Sequence, residues 1–453
     1  MRRIVGYVLG LAIGGSSALA AQGFGVYEHG TCTMGRAGTA AAKPCNDGSA
    51  MFFNPAGLAG MSGNTLMAGA TFIPAAGSFT DDVTRQTWDL ENPLIAVPSL
   101  YFTRGFSDKL AAGIGVYVPY GLETKWPTED FQGRFLGWNS RLQSIYIQPT
   151  VGYQLHPRIK VGFGAAYIIS DVELKQRVDL AAQRLPAPGN PTFAQLGIPT
   201  GTDFAEAHLE ASGTGFAVNF GAIIKVSETL SIGGHYLSRA TIDYDGDATF
   251  TQILTNDTLP LGNPINPGSV VPLDNLVAAN FAPGAPLSSG AATTSIVMPP
   301  QASLGVAWQA TPNLLLLGDF HTVIWGWFAS LNVDFANATT PDLALYEGYR
   351  DTYGYRMGLE YSYDDKTTFR GGYLYHTAAA PPETVTPLLP EGSRNEITLG
   401  LGRAFTPKLR GDFGYQYIRQ QDRRGRVHDP SVGNTGLYKF SGHLFGASLT
   451  LTF

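Results

Sequence analysis

Phe445-Gly446-Ala447-Ser448-Leu449-Thr450-Leu451-Thr452-Phe453 decides how the chain is read. Phe445, Ala447, Leu449, Leu451 and Phe453 fall on one face of an extended strand, and Gly446, Ser448, Thr450 and Thr452 on the other. Successive side chains of a strand point to opposite faces, so one face suits lipid and the other a lumen or packed interior. Residues 109–119 repeat the pattern: Leu110, Ala112, Ile114, Val116 and Val118 alternate with Ala111, Gly113, Gly115, Tyr117 and Pro119.

The composition fits this reading. Of 453 residues, 44% are hydrophobic and only 15% charged, with 55 Gly, 25 Phe and 21 Tyr. Such a chain is neither a coiled coil, a disordered tail nor a disulfide-dense scaffold. Mean hydropathy is −0.01, so it is not a bundle of membrane helices. No segment after the first twenty residues offers the 18 or so consecutive apolar residues of a helical span. The densest aliphatic run, Leu314 to Leu317, ends at Gly318-Asp319.

The first residues carry an export signature. Arg2-Arg3 precede an apolar core from Ile4 to Ile13, and Ala18-Leu19-Ala20 forms an A-x-A cleavage signal. Residues 1–20 are therefore expected to be a signal peptide. Without them the balance is 28 basic to 36 acidic residues, net −8. That excludes a nucleic-acid partner, which would need a clustered basic surface. An exported chain with membrane-like composition and no helical span points to a transmembrane β-barrel in a bacterial outer membrane.

Turn counting sets its size. Six short polar breaks lie near 106–109, 155–158, 226–229, 310–313, 363–366 and 405–408. Seven longer connections lie near 74–91, 120–137, 178–205, 246–292, 334–346, 377–393 and 420–436. Tight periplasmic turns alternating with long outer loops join fourteen antiparallel strands, over residues 64–453. A soluble sandwich or propeller would not readily carry loops of 28 and 47 residues. Residues 21–63 lack the alternation and are rich in small residues, as in Gly35, Ala37, Gly38 and Ala40 to Ala42. A barrel of this size encloses an open lumen unless something fills it, so 21–63 is the expected plug, or hatch.

At this point the chain resembles the long-chain fatty acid outer-membrane transporter (FadL) family, which includes importers of toluene and other aromatic hydrocarbons. The resemblance rests on Gly23-Phe24-Gly25-Val26-Tyr27-Glu28, Met34-Gly35-Arg36-Ala37-Gly38 and the N-P-A signature Asn54-Pro55-Ala56. Further matches are Pro119-Tyr120-Gly121-Leu122, Trp325-Gly326-Trp327-Phe328, Glu347-Gly348-Tyr349-Arg350-Asp351, Thr368 to Tyr373, Leu389 to Arg394 and terminal Phe453. The resemblance implies passive uptake of hydrophobic ligands through outer loops, a hatch, and a lateral gap at a kinked third strand.

Candidate residues follow, each with a blander alternative. Asn54, Pro55 and Ala56 would hinge the hatch or merely anchor it to the wall. Phe24 and Tyr27 would touch ligand from below or pack the plug. Gly113, Gly115 and Pro119 weaken the third strand, since Gly loosens a strand and Pro removes a ladder donor. They would form the lateral exit, or simply admit the plug and end the strand. Leu122, Trp126, Phe131 and Phe135 would line an external groove walled by 178–205 and 246–292, pack against the neighbouring loop, or form an interfacial belt. Arg350 would meet a polar head group, by its place in the family's E-G-x-K/R-D segment, or pair with Asp351 or Glu347. Some fatty-acid members carry a basic residue early in the fifth-strand region. Tyr167 to Asp171 has none, which leaves room for neutral hydrocarbons. Cys32 and Cys45 would form a disulfide in the oxidising compartment, or remain two buried thiols.

No metal, cofactor or catalytic site is expected: eight histidines are scattered, and no nucleophile elbow or phosphate loop occurs. The expected partners are a hydrophobic small molecule, outer-membrane lipid and lipopolysaccharide, and the barrel-assembly machinery through Phe453. The barrel is expected to be monomeric. The rival functions are an outer-membrane lipid-modifying enzyme, an adhesin and a general porin.

Overall fold

A computed structural model describes residues 23–185, 189–425 and 434–453. The signal-peptide expectation for 1–20 lies outside the described residues. Fourteen antiparallel strands form one closed barrel. They are β1 (Asn64–Ile73, resumed at Ala75–Asp81), β2 (Ile95–Gly105), β3 (Leu110–Lys125), β4 (Asn139–His156), β5 (Ile159–Asp179) and β6 (Asp203–Lys225). Next come β7 (Leu230–Leu237 and Ala240–Gln252), β8 (Gly290–Met298 and Gln301–Thr311), β9 (Leu314–Val323 and Ser330–Phe335) and β10 (Leu343–Tyr346 and Thr352–Ser362). The last four are β11 (Thr367–His376), β12 (Arg394–Ala404), β13 (Leu409–Gln420) and β14 (Gly436–Thr452). β14 closes on β1 with Thr65 opposite Thr452 through Phe72 opposite Phe445.

The alternation read from the C-terminal segment is the wall. Phe445, Leu449 and Leu451 are exposed toward the lipid side, while Gly446, Ser448 and Thr450 are buried toward the interior. The six tight turns fall where the polar breaks lie. The connection 377–393 has the expected bounds, while the other long connections are shorter than expected because several strands extend past the apolar band. β3 continues to Lys125, and β7 reaches Gln252. Polar residues sustain the backbone ladder above the membrane as well as apolar ones do, so hydropathy alone ends these strands too early.

Residues 23–63 lie against the inward faces of the wall, in short helical turns at Thr31–Met34, Ala50–Phe53 and Pro55–Leu58. Wall glycines make room for them. A Cβ on Gly162 would stand 2.1 Å from the Pro55 carbonyl carbon, and one on Gly233 2.1 Å from the Ala41 oxygen. The sulfurs of Cys32 and Cys45 are bonded, with Cα atoms 6.4 Å apart.

One wall seam is incomplete. β2 and β3 pair only from Gly105 opposite Ala111 to Leu100 opposite Val116. Beyond that, Ile95–Ser99 pair with β1, and β3 stays attached only to β4. Its register shifts by one residue between Tyr117 and Tyr120, a bulge at Val118-Pro119. The in–out alternation also stops there, since Tyr117 through Tyr120 are all buried.

Gly162→Val tests the close fit of the segment. Overpacking typically costs about 1–3 kcal/mol. Faster amide exchange across residues 40–60, with an intact barrel spectrum, is the expected outcome. Unchanged exchange would mean the segment does not depend on that contact.

Candidate functional site

The site is assembled where the N-terminal segment meets the open seam. The N–H of Val26 donates to the Pro119 oxygen at 2.9 Å, and the N–H of Gly121 donates to the Phe24 oxygen at 2.9 Å. Gly25 and Tyr120 thereby form an antiparallel bridge. These bonds occupy β3 backbone groups at the bulge, from inside the barrel. Nearer the outside, Asn92 spans the seam, donating to the Glu123 oxygen at 2.7 Å and accepting from the Lys125 N–H at 2.7 Å.

Phe24 sits in an aromatic cage. Its ring meets Trp325 edge-on at 4.7 Å and Phe328 at 5.4 Å, with Tyr120 at 6.1 Å. Trp325 points inward because β9 breaks at Trp325–Trp327, beside the Pro299-Pro300 break of β8. Proline has no N–H for the ladder, so these strands must bend. The Tyr120 hydroxyl donates to the Pro299 carbonyl, linking the bulge to that break. Tyr27 lies deeper. Its hydroxyl bonds His321 Nε2 at 2.9 Å, and the Arg356 guanidinium lies 4.5 Å from its ring centre.

Below this cage a polar belt fixes the segment to the wall. Asn54 donates to the carbonyls of Ala41 at 2.5 Å, Ala222 at 3.1 Å and Gly234 at 3.2 Å, while its oxygen accepts from Ala56 N–H at 3.1 Å. Pro55 starts the short turn that follows, and Ala56 is fully buried in it. Asp319 accepts from the N–H groups of Ala40 at 2.8 Å and Ala41 at 2.9 Å. Gln148 and Asn219 both donate to the Met51 carbonyl, at 2.7 and 3.0 Å. Arg36 of the segment lies 3.7 Å from Glu360, which also pairs with Arg370 at 2.6 Å, and Arg370 reaches Asp412 at 2.7 Å. A buried charge is costly unless paired or hydrogen-bonded; Arg36 and Arg370 have carboxylate neighbours, and Arg356 donates to His376 Nε2 at 3.2 Å.

Gly113 and Gly115 face the segment: a Cβ on Gly113 would lie 2.2 Å from the Met51 methyl. They sit below the seam, within the paired part of β3, and of the three only Pro119 lies in the bulge itself.

The outer loops enclose an apolar cavity of about 780 Å³. Phe193, Phe204, Phe250, Leu276, Val333 and Phe335 are among its walls, with Arg184 and His208 at its polar edge. The expected walls 178–205 and 246–292 are there, joined by 334–346. The expected groove residues are elsewhere. Leu122 is buried in the main core. Trp126 stacks on Phe131 at 5.1 Å and donates to the Pro387 carbonyl at 3.0 Å, and Phe131 packs against Phe79 and Trp88 at 5.8 Å. Phe135 lies under the Arg134 guanidinium at 4.3 Å. Aromatics clustered in one loop bury against the first and last loops, which removes them from water more completely than an open groove would. Arg350 also departs from the lumenal expectation. Its side chain is exposed, while Tyr349 turns inward to Trp325 at 5.6 Å.

Sequence reading missed the inward polar belt, including Arg356, Arg370, Asp319 and Asp412. The signal existed: each occupies the buried phase of its strand, as Arg356 does between exposed Tyr355 and Met357.

Two tests follow. Asn54→Ala strips several buried carbonyls of a donor, which costs about 1–3 kcal/mol. Protease nicking of residues 23–63 should then rise several-fold. The loop carboxyl of Glu391, which accepts from the Ala380 N–H, is pushed up to about 7 by burial from an ordinary 4.5. The fold thus favours its protonated form, and that stability is full below about 4.5 and lost as pH rises through about 7. Intrinsic-rate-corrected amide exchange in 377–393 should quicken several-fold between pH 5.5 and 8. Glu391→Gln should flatten that dependence.

Comparison with known proteins agrees with this architecture. The family described as outer membrane protein transport protein (OMPP1/FadL/TodX) matches residues 12–453. The chain is 26% identical over 413 residues to the long-chain fatty acid transport protein of Escherichia coli O6:H1, covering 88% of this chain and 87% of that one. Its fold is similar to that of a Pseudomonas aeruginosa FadL homologue, with a TM-score of 0.80 at 19% identity, covering 95% of this chain and 100% of that one. It is also similar to the P. putida toluene transporter TodX, with a TM-score of 0.71 at 18% identity, covering 94% and 99%. The chain belongs to the OMPP1/FadL/TodX family of outer-membrane transport proteins, which are transporters rather than enzymes.

Proposed function

We propose that the protein carries hydrophobic molecules, long-chain fatty acids or aromatic and aliphatic hydrocarbons, passively across the outer leaflet and releases them sideways through the β2–β3 seam. The observation that carries this reading is the seam itself, a stretch of β3 that has lost β2 and is held by residues 24–26. Ligand first enters the 780 Å³ outer cavity, where burial contributes roughly 25 cal/mol per Å² of apolar surface. Displacement of Phe24 and Val26 then frees the bulge, and this leading edge of the hatch hinges on a base that Asn54 holds in the lumen. The ligand leaves between Ser99 and Val118 directly into lipid. The named relatives include both a fatty acid transporter and a toluene transporter, and the ligand class here spans both.

Removing Pro119 lets β3 resume its register with β4. Cells carrying that deletion should take up labelled fatty acid and toluene at least ten-fold more slowly, with ligand binding to the purified protein unchanged. Phe204→Glu with Phe250→Glu should instead weaken binding about ten-fold. Normal uptake by the Pro119 deletion would overturn the sideways route.

A further inference from the structure

At the opposite mouth of the barrel, four cations converge on the base of the N-terminal segment. Lys43 belongs to that segment, Arg158 to the β4–β5 turn, Lys160 to the inward face of β5, and Lys225 to the inward end of β6. They line one cleft of about 330 Å³, together with Ala42, Pro44, Ile223, Ala307 and Leu315. Lys225 pairs with Glu228 at 2.5 Å. Lys43 donates to the neutral Gln309 at 3.2 Å. Among the described residues, Lys43, Arg158 and Lys160 have no carboxylate within 4.0 Å. This contrasts with the polar belt above, where Arg36 and Arg370 both meet acids.

We propose that this cleft is a second ligand site, open to the periplasm, that holds the carboxylate end of an acyl chain. The cations supply charge-assisted hydrogen bonds for the carboxylate, and the aliphatic walls take the adjoining methylenes. Both halves of the lining are needed to select an amphiphile over an inorganic anion. A phospholipid headgroup of the inner leaflet is disfavoured, because the cleft opens inside the strand ring, between the wall and the segment. The inference rests on the reading that the protein handles acyl or hydrocarbon ligands. It adds that carboxylate-bearing ligands have a landing site at the periplasmic face which neutral hydrocarbons lack.

The test is photolabelling of the full-length protein in detergent with a diazirine-bearing dodecanoic acid, and in parallel with the matching dodecanol. Peptide mapping then separates the cleft (42–46, 157–160) from the outer cavity (residues around Phe204 and Phe250). The acid is expected to label both places, and the alcohol the outer cavity alone. Lys43→Gln with Lys160→Gln should cut acid labelling of the cleft at least five-fold and leave the outer cavity labelled, which also reports correct folding. Lys43→Arg with Lys160→Arg should retain it. Inorganic phosphate at 10 mM, on the order of a weak-anion Kd, should reduce cleft labelling less than two-fold. Equal labelling by alcohol and acid, insensitivity to the Gln pair, or displacement by phosphate alone would each overturn the proposal. Labelling of the outer cavity without the cleft would overturn it while leaving the uptake reading intact.

Discussion

Inside a membrane every backbone donor and acceptor must find a partner within the protein. That constraint organises this barrel around β3. When β3 parts from β2 above Val116, the Pro119 carbonyl and the Gly121 N–H are met instead by Val26 and Phe24. The same two hydrogen bonds position the Phe24 ring between Trp325 and Phe328. They tie the start of the N-terminal segment, the bulge and the β8–β10 breaks into one unit. These two β3 groups at the break in the ladder keep their hydrogen bonds only while the segment stays docked.

The deeper contacts differ in kind. The segment is held there by side chains from many strands, among them Asp319, Gln148, Asn219 and Thr398, aimed at its backbone. Short helical turns leave backbone groups unpaired, and an apolar lumen could not satisfy them. The wall glycines at 162 and 233 let main chain meet main chain at these points. The Cys32–Cys45 bond further restrains the part carrying Arg36. The result is a gradient: a base fixed by many polar contacts and a leading edge held at the seam by two backbone bonds and aromatic packing.

Much of this was legible in the sequence because a barrel wall has the simplest of periods. The exposed phase of β14, Phe445 to Leu451, and the six tight turns gave the strand number directly. The small-residue run before Asn64 marked the segment that faces the glycines. What the sequence left open was which loops pack together. Trp126 and Phe131 find Phe79, Trp88 and Tyr438 from distant parts of the chain, and no local pattern announces such partners. Arg350 misled because its neighbours fit a motif, while the break of β10 at 347–351 reset the inward phase and turned Tyr349 in. The inward charges were hidden for another reason. Singly, Arg356 or Asp412 in a strand looks like a surface residue, and only their shared phase shows that they line a filled lumen.

The central claim is that hydrophobic cargo crosses through the wall while the lumen stays closed. Its most direct test records both events at once. The purified protein is placed in a planar bilayer, with ionic conductance measured during transfer of a fluorescent fatty acid from the outer-loop side into the lipid. The account predicts rapid protein-dependent transfer with no steady open-pore conductance. A large ohmic conductance that rises and falls with ligand transfer would contradict it, because the ligand would then be passing down an open lumen.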